Sequence, residues 1–175
     1  MRKLSVEELN RLSVSEFQQT EKFPYALMLD DVRSLNNVGS VFRTADAFCA
    51  EKVYLCGITG TPPHRDITKT ALGADESVEW EHHTDIVQLC LKLKEESYQL
   101  LAVEQVEGSI SLADFVPQPA QKYAFIFGNE VFGVNEKVIE LADHCIEIPQ
   151  FGTKHSLNIS VTVGIICWEM VRNRE

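Results

Sequence analysis

Nothing in the sequence approaches the roughly 18 consecutive apolar residues of a membrane-spanning helix. The opening stretch MRKLSVEELNRL carries charges where a signal peptide needs an apolar run. Membrane insertion and secretion are therefore not expected, and a cytoplasmic protein is. The five cysteines, Cys49, Cys56, Cys90, Cys145 and Cys167, form neither a CxxC pair nor a Cys/His cluster of metal-ligand spacing. Each sits among apolar neighbours, so all five are expected to be reduced and packed inside. His64, His82, His83, His144 and His155 show no ligand spacing either, and no metal is expected. The chain also lacks a GxGxxG fingerprint and a Walker loop, which sets aside a nicotinamide-binding Rossmann enzyme and a nucleoside-triphosphate cradle.

Basic residues are scarce. Sixteen Lys and Arg stand against 26 Asp and Glu, a net charge of -10, which argues against coating nucleic acid by bulk electrostatics. The charge is uneven, however. Residues 75–107 hold nine acids and two bases, whereas residues 33–69 hold five bases and three acids, so a local patch can still meet phosphate.

What is present is enough for one compact domain: 175 residues, 45% of them hydrophobic. Ser5 with Glu8, and Ser13 with Glu16, match capping boxes and predict short helices in an N-terminal extension over residues 1–24. Tyr25 to Asp30, Lys52 to Gly57, Tyr98 to Val103, Tyr123 to Gly128 and Cys145 to Pro149 read as buried strands, with Ser77 to Trp80 a weaker sixth. Between them lie helical stripes. Val38, Val41, Phe42, Ala45, Phe48 and Cys49 form one, and a second starts at Thr84 and buries Ile86, Val87, Cys90 and Leu91 or Leu93. Asn135 caps a third, and a last helix runs from about Ser156 to Arg172 with Ile159, Val163, Ile166 and Met170 inward. Such alternation with short connections predicts an α/β domain over 25–175, a mostly parallel sheet with helices on both faces.

Three polar clusters follow strands, where open parallel sheets bind ligands. The first is Asn36-Asn37-Val38-Gly39-Ser40-Val41-Phe42-Arg43-Thr44-Ala45, the second Phe127-Gly128-Asn129-Glu130-Val131-Phe132-Gly133. The third is Ile148-Pro149-Gln150-Phe151-Gly152, leading to Ser156-Leu157-Asn158-Ile159-Ser160. Each alone is also ordinary structure: a helix start, a glycine loop, a Pro/Gly turn before a Ser cap. Arg43, among the apolar Val41, Phe42 and Ala45, is expected to be partly buried and to need a carboxylate or a phosphate.

In this order and spacing the three clusters resemble the motifs of SpoU-type (TrmH-like) RNA 2′-O-ribose methyltransferases of the SPOUT superfamily. The resemblance covers about residues 25–173. It implies an α/β fold with a C-terminal deep trefoil knot, a homodimer, and S-adenosylmethionine as cofactor with S-adenosylhomocysteine as product. It assigns cofactor binding to Phe127, Gly128, Asn129, Glu130, Gly133, Ile148, Pro149, Ser156 and Leu157, and catalysis to Asn37, Arg43, Glu130, Ser156 and Asn158. Gly128 and Gly133 would then leave room for the cofactor, Asn129 and Glu130 would face the ribose, and Asn37 and Glu130 would orient Arg43. The implied reaction is methyl transfer to a ribose 2′-hydroxyl of tRNA or rRNA; the alternative is a non-catalytic RNA-binding protein of the same fold. Because so little precedes the first strand, a large RNA must be recognised by the catalytic domain, its dimer, or an accessory RNA-binding protein.

Overall fold

Five apolar runs become the core of one parallel sheet. The computed structural model describes residues 1–5 and 7–172; the last three residues of the expected domain, 173–175, lie outside the described residues. In chain order the elements are α1 (Val14–Gln19), β1 (Phe23–Asp30), α2 (Leu35–Ala47), β2 (Ala50–Cys56), α3 (Arg65–Ala71), α4 (Ala74–Ser77) and β3 (Trp80–His83). They continue as α5 (Ile86–Glu95), β4 (Tyr98–Val103), β5 (Ile110–Ser111), β6 (Lys122–Phe127), α6 (Glu136–Leu141), β7 (His144–Glu147) and α7 (Ile159–Val171).

The strands form a single seven-stranded sheet in the order β3-β2-β1-β6-β4-β7-β5, and every ladder is parallel. Tyr25 through Asp30 are all buried, as expected of a strand covered on both faces. Tyr25, Leu27 and Leu29 point with Tyr123, Phe125 and Phe127 into one core, shared with α1, α2, α3, α4 and α7. Ala26, Met28, Ala124 and Ile126 point into the other, under α5 and α6. The order places β6 beside β1, pairing Tyr25 with Tyr123 through Leu29 with Phe127, so the two strands release their chains side by side. That adjacency builds the site described below.

Several expectations shift in detail. The weak sixth strand lies at Trp80–His83, and Ser77 ends a short helix instead. The two-residue β5, which pairs with β7, carries too little apolar sequence to be read. The first capping box forms, with Ser5 N donating to Glu8 at 2.7 Å, but closes only a 3-10 turn over Glu7–Leu9. The cap of α5 is Asp85, whose carboxylate accepts from Val87 and Gln88, and Leu89 rather than Val87 is buried. Cys56, Cys90 and Cys167 are buried, while Cys49 and Cys145 are half-buried, and all five are free thiols. Burial pushes Cys90 and Cys167 up to about 12, so both are protonated packing groups.

Gly39 is where α2 and α3 touch. A Cβ there would lie 2.1 Å from Thr70 Oγ1 and 2.2 Å from the Ile67 carbonyl oxygen. Thr70 Oγ1 also donates to the Asn36 carbonyl at 2.9 Å, locking the helices together. Gly39→Ala is therefore expected to cost about 1–3 kcal/mol by overpacking, read as a fall of several degrees in Tm. Gly152→Ala, where a Cβ meets nothing within 4 Å, should leave the melting curve unchanged.

Candidate active site

The loop after β6 is a tight hairpin built by its own residues. Asn129 and Gly133 exchange backbone hydrogen bonds, Asn129 N to Gly133 O at 3.0 Å and Gly133 N to Asn129 O at 2.9 Å. The Asn129 side chain fills the turn: Oδ1 accepts from Val131 N at 2.9 Å and Phe132 N at 3.2 Å, and Nδ2 donates to the Asp31 carbonyl at 2.7 Å. Asn129 thus pins the loop to the end of β1, and its amide is already engaged in doing so. The glycines have a different cause from the one the sequence suggests. A Cβ on Gly128 would fall 2.0 Å from the carbonyl carbon of Gly133. One on Gly133, whose φ is +72°, would fall 2.3 Å from Glu104 Oε2. Protein atoms, not a ligand, occupy that space.

Glu130 stands next on the loop and reaches across to α2. Its carboxylate accepts from Arg33 N and Ser34 N, both at 3.0 Å, and from Asn37 Nδ2 at 3.4 Å. Ser34 is the N-cap of α2, its hydroxyl accepting from Asn37 N, so the carboxylate sits at the positive end of a 13-residue helix. Partial burial raises the Glu130 pKa, but the backbone donors of Arg33 and Ser34 and the Asn37 amide outweigh it, and the net shift is downward. The stabilisation this bond network gives is complete above the ordinary carboxylate pKa and is lost as pH falls through the lowered value. Asn158 Nδ2 donates to Asn37 Oδ1 at 3.3 Å, and Asn158 in turn caps α7 by accepting from Ser160 N at 2.9 Å. One chain of contacts, Glu130 to Asn37 to Asn158, joins all three clusters.

Beside it opens a cleft of about 570 Å³. Phe127, Gly128, Asn129, Glu130, Gly133, Ile148, Ser156, Leu157 and Asn158 line it, while Pro149 and Asn37 are not in its wall. The apolar surfaces of Ile148 and Leu157 and the backbone groups of both loops suit a flat, hydrogen-bonding ligand of cofactor size. Val103, Glu104 and Gln105 also line the cleft and are absent from the sequence-based set, although Val103 ends a strand expected from the sequence and Glu104 and Gln105 directly follow it, the position that marks the other clusters. Glu104 Oε2 accepts from Val134 N at 3.0 Å, and Gln105 Nε2 donates to the His155 carbonyl at 3.3 Å. Among the described residues the Ser156 hydroxyl makes no hydrogen bond, so the loop is fixed by Asn158 without it.

Arg43 is elsewhere. It is exposed rather than partly buried, and among the described residues its guanidinium has no hydrogen bond or ion pair. Six residues beyond Asn37 on α2, it lies about 120° around the helix from it. Asn37 and Glu130 therefore orient each other and Asn158, not Arg43. Among the described residues no group of three or more His, Cys, Asp or Glu is placed to hold a metal ion.

With this geometry, comparison with known proteins is informative. The family model described as SpoU rRNA Methylase family matches residues 24–168. The tRNA (guanosine(18)-2'-O)-methyltransferase of Thermus thermophilus is 28% identical over 167 residues, covering 95% of this chain and 84% of its own. The 23S rRNA (guanosine-2'-O-)-methyltransferase RlmB of Neisseria meningitidis is 30% identical over 151 residues, covering 86% of this chain and 59% of its own. The AdoMet-bound rRNA methyltransferase of Sinorhizobium meliloti shares the fold, with a TM-score of 0.81 at 23% identity, covering 91% of this chain and 60% of that one.

The glycine geometry sets an expectation. Gly128→Ala and Gly133→Ala should each lower Tm by several degrees in the absence of any ligand, because the added carbon meets backbone or the Glu104 carboxylate. Unchanged melting with lost ligand affinity would return these glycines to the role of making room for a ligand.

Proposed function

Because the chain belongs to the SpoU rRNA methylase family, we propose that it transfers the methyl group of S-adenosylmethionine to a ribose 2′-hydroxyl of tRNA or rRNA. The observation that carries this reading is the contact of Glu130 with Asn37 and of Asn37 with Asn158, 93 and 121 residues apart in sequence, beside one cleft that Glu130 and Asn158 line. The relatives named above act on tRNA and on 23S rRNA, and the chain spans 84% of the first and 59% of the second.

When bound, S-adenosylmethionine supplies a methyl group on a sulfonium. The protein must then place a 2′-hydroxyl in line with it and stabilise the alkoxide that develops. Glu130, Asn37 and Asn158 hold the two loops that shape the cleft. Arg43 supplies the phosphate clamp: a guanidinium keeps its charge throughout the physiological range, so it grips the adjacent phosphate rather than removing the proton.

The site is completed by a second copy. Beyond the buried stripe of α7, the apolar side chains of Val161 and Trp168 remain 51% and 56% exposed, an outward apolar face that a partner surface can bury. A homodimer through this face supplies the cover. It also brings Arg43, which is exposed and does not line its own cleft, to the cleft of the other copy. The chain after β7 threads a knot in this reading. The pairing of β5 and Leu112 with the outer edge of β7 supports that reading, because it lays the segment between β4 and β6 beside the start of that route. With a net charge of -10, the exposed bases Arg33, Arg43, Arg65 and Lys154 meet only a few phosphates, and two copies or an accessory RNA-binding protein hold the rest of the substrate. Five free thiols fit a cytoplasmic setting.

The direct test is incubation with methyl-labelled S-adenosylmethionine and total RNA from a strain lacking the protein. Label should enter RNA as a 2′-O-methylnucleotide at a mappable position; binding of the cofactor without transfer to any RNA would overturn the reading.

The dimer gives a sharper expectation. Arg43→Ala should lower kcat at least about 100-fold, the size of losing one transition-state donor, with cofactor affinity unchanged. Arg43→Lys should recover little, because the planar fork is lost. Mixing Arg43→Ala with Glu130→Ala protein should restore about a quarter of wild-type activity, since half of the randomly formed dimers then hold one complete site. No recovery on mixing, with subunit exchange shown, would place Arg43 in its own cleft.

A further inference from the structure

We infer that Glu104 makes the cleft selective for the charged form of the cofactor, holding the sulfonium compound in preference to the neutral thioether left after transfer. This rests on the assignment of the cleft to S-adenosylmethionine. Among the described residues three carboxylates line the cleft, Glu104, Glu130 and Glu147, and no Lys or Arg does. Glu130 is committed to Arg33, Ser34 and Asn37. Glu104 is held differently. Its Oε2 accepts from Val134 N and its Oε1 from Gln105 N, both at 3.0 Å, while its own backbone N–H donates to the Ile146 carbonyl at 3.1 Å.

These contacts fix the carboxylate at the end of β4 without neutralising it. Both donors are backbone amides, and among the described residues no cation pairs with it. A carboxylate accepts about four hydrogen bonds, so capacity remains toward the cleft that the residue lines. The two ligands differ by one charge there. S-adenosylmethionine carries a sulfonium, an ammonium and a carboxylate, whereas S-adenosylhomocysteine keeps only the last two. Everything else the cleft can grip, the adenosine and the amino-acid end, is common to both. A fixed, unpaired carboxylate therefore acts on the difference, by roughly tenfold for unit charges about 10 Å apart at an effective dielectric constant near 20. Transfer of the methyl group removes that attraction, which favours exchange of product for fresh cofactor.

Glu104→Gln removes the charge and keeps the volume; its amide oxygen still accepts from Val134 N, while the bond from Gln105 N is lost, so the ratio of charged to neutral ligand affinity is the readout. Calorimetry on the whole protein would use three probes: S-adenosylmethionine, S-adenosylhomocysteine, and sinefungin, which carries an ammonium in place of the methylsulfonium. The expected result is a loss of roughly tenfold for the methionine compound and for sinefungin, with the homocysteine compound unchanged. If the Gln variant folds poorly, Glu104→Asp keeps the charge and should preserve the ratio of charged to neutral ligand even where every affinity falls. Equal weakening of all three ligands in the Gln variant, an unmoved ratio, or a ratio lost in the Asp variant would each overturn the role assigned to Glu104. Failure of wild-type protein to bind any of the three would instead overturn the cofactor assignment on which it rests.

Discussion

The Glu130 carboxylate is the tie on which the front of the molecule depends. It takes the backbone N–H groups of Arg33 and Ser34 and, through Asn37, reaches the cap of α7 at Asn158. Nothing local in sequence brings these groups together. The parallel pairing of β1 with β6 does, because it releases the glycine loop and the start of α2 at the same edge of the sheet. Two helices then present their N-terminal ends toward the carboxylate, directly at α2 and by way of two amides at α7. The same donors that fix the loop hold Glu130 in its charged form, so geometry and ionisation have one cause.

An acidic protein that acts on RNA presents an electrostatic conflict, and the structure divides it in space. Among the described residues the cleft is lined by Glu104, Glu130 and Glu147 and by no Lys or Arg, an environment suited to a cationic cofactor. Arg33 and Arg43 are exposed outside it. Arg43 lies about 120° around α2 from Asn37, which separates its exposed guanidinium from the Asn37–Glu130 contact within one chain.

Much of the architecture was legible because buried strands in a parallel sheet read as continuous apolar runs. Tyr25–Asp30 and Tyr123–Phe127 are such runs, and both were found within a few residues. β3 was misplaced for the complementary reason: Trp80, Glu81, His82 and His83 form an edge strand with hardly any apolar signal. Caps slipped because neighbouring residues compete for the position, as Asp85 does with Thr84. In the site, the residues that meet were visible as motifs, but their partners were not. The motif around Gly128 and Gly133 gives no hint that Glu104 occupies the space beside Gly133. The exposure of Arg43 was accessible from helical period alone: Val38, Phe42 and Ala45 define the buried stripe, and position 43 lies about 140° from Val38. Its apolar neighbours in sequence were the wrong guide, since adjacent residues on a helix do not share a face.

Amide hydrogen exchange on the wild-type protein and on Glu130→Ala tests the tie most directly. If one carboxylate holds the loop, α2 and α7 together, protection at Arg33 and Ser34 should fall in the variant, and that at Ser160 at the start of α7 should weaken, while the amides of β1 and β6 stay protected. Methyl transfer should be lost in the same variant. Retained protection at Arg33 and Ser34 alongside lost transfer would contradict the account, because Glu130 would then act only on the reacting groups and something else would hold the site in place.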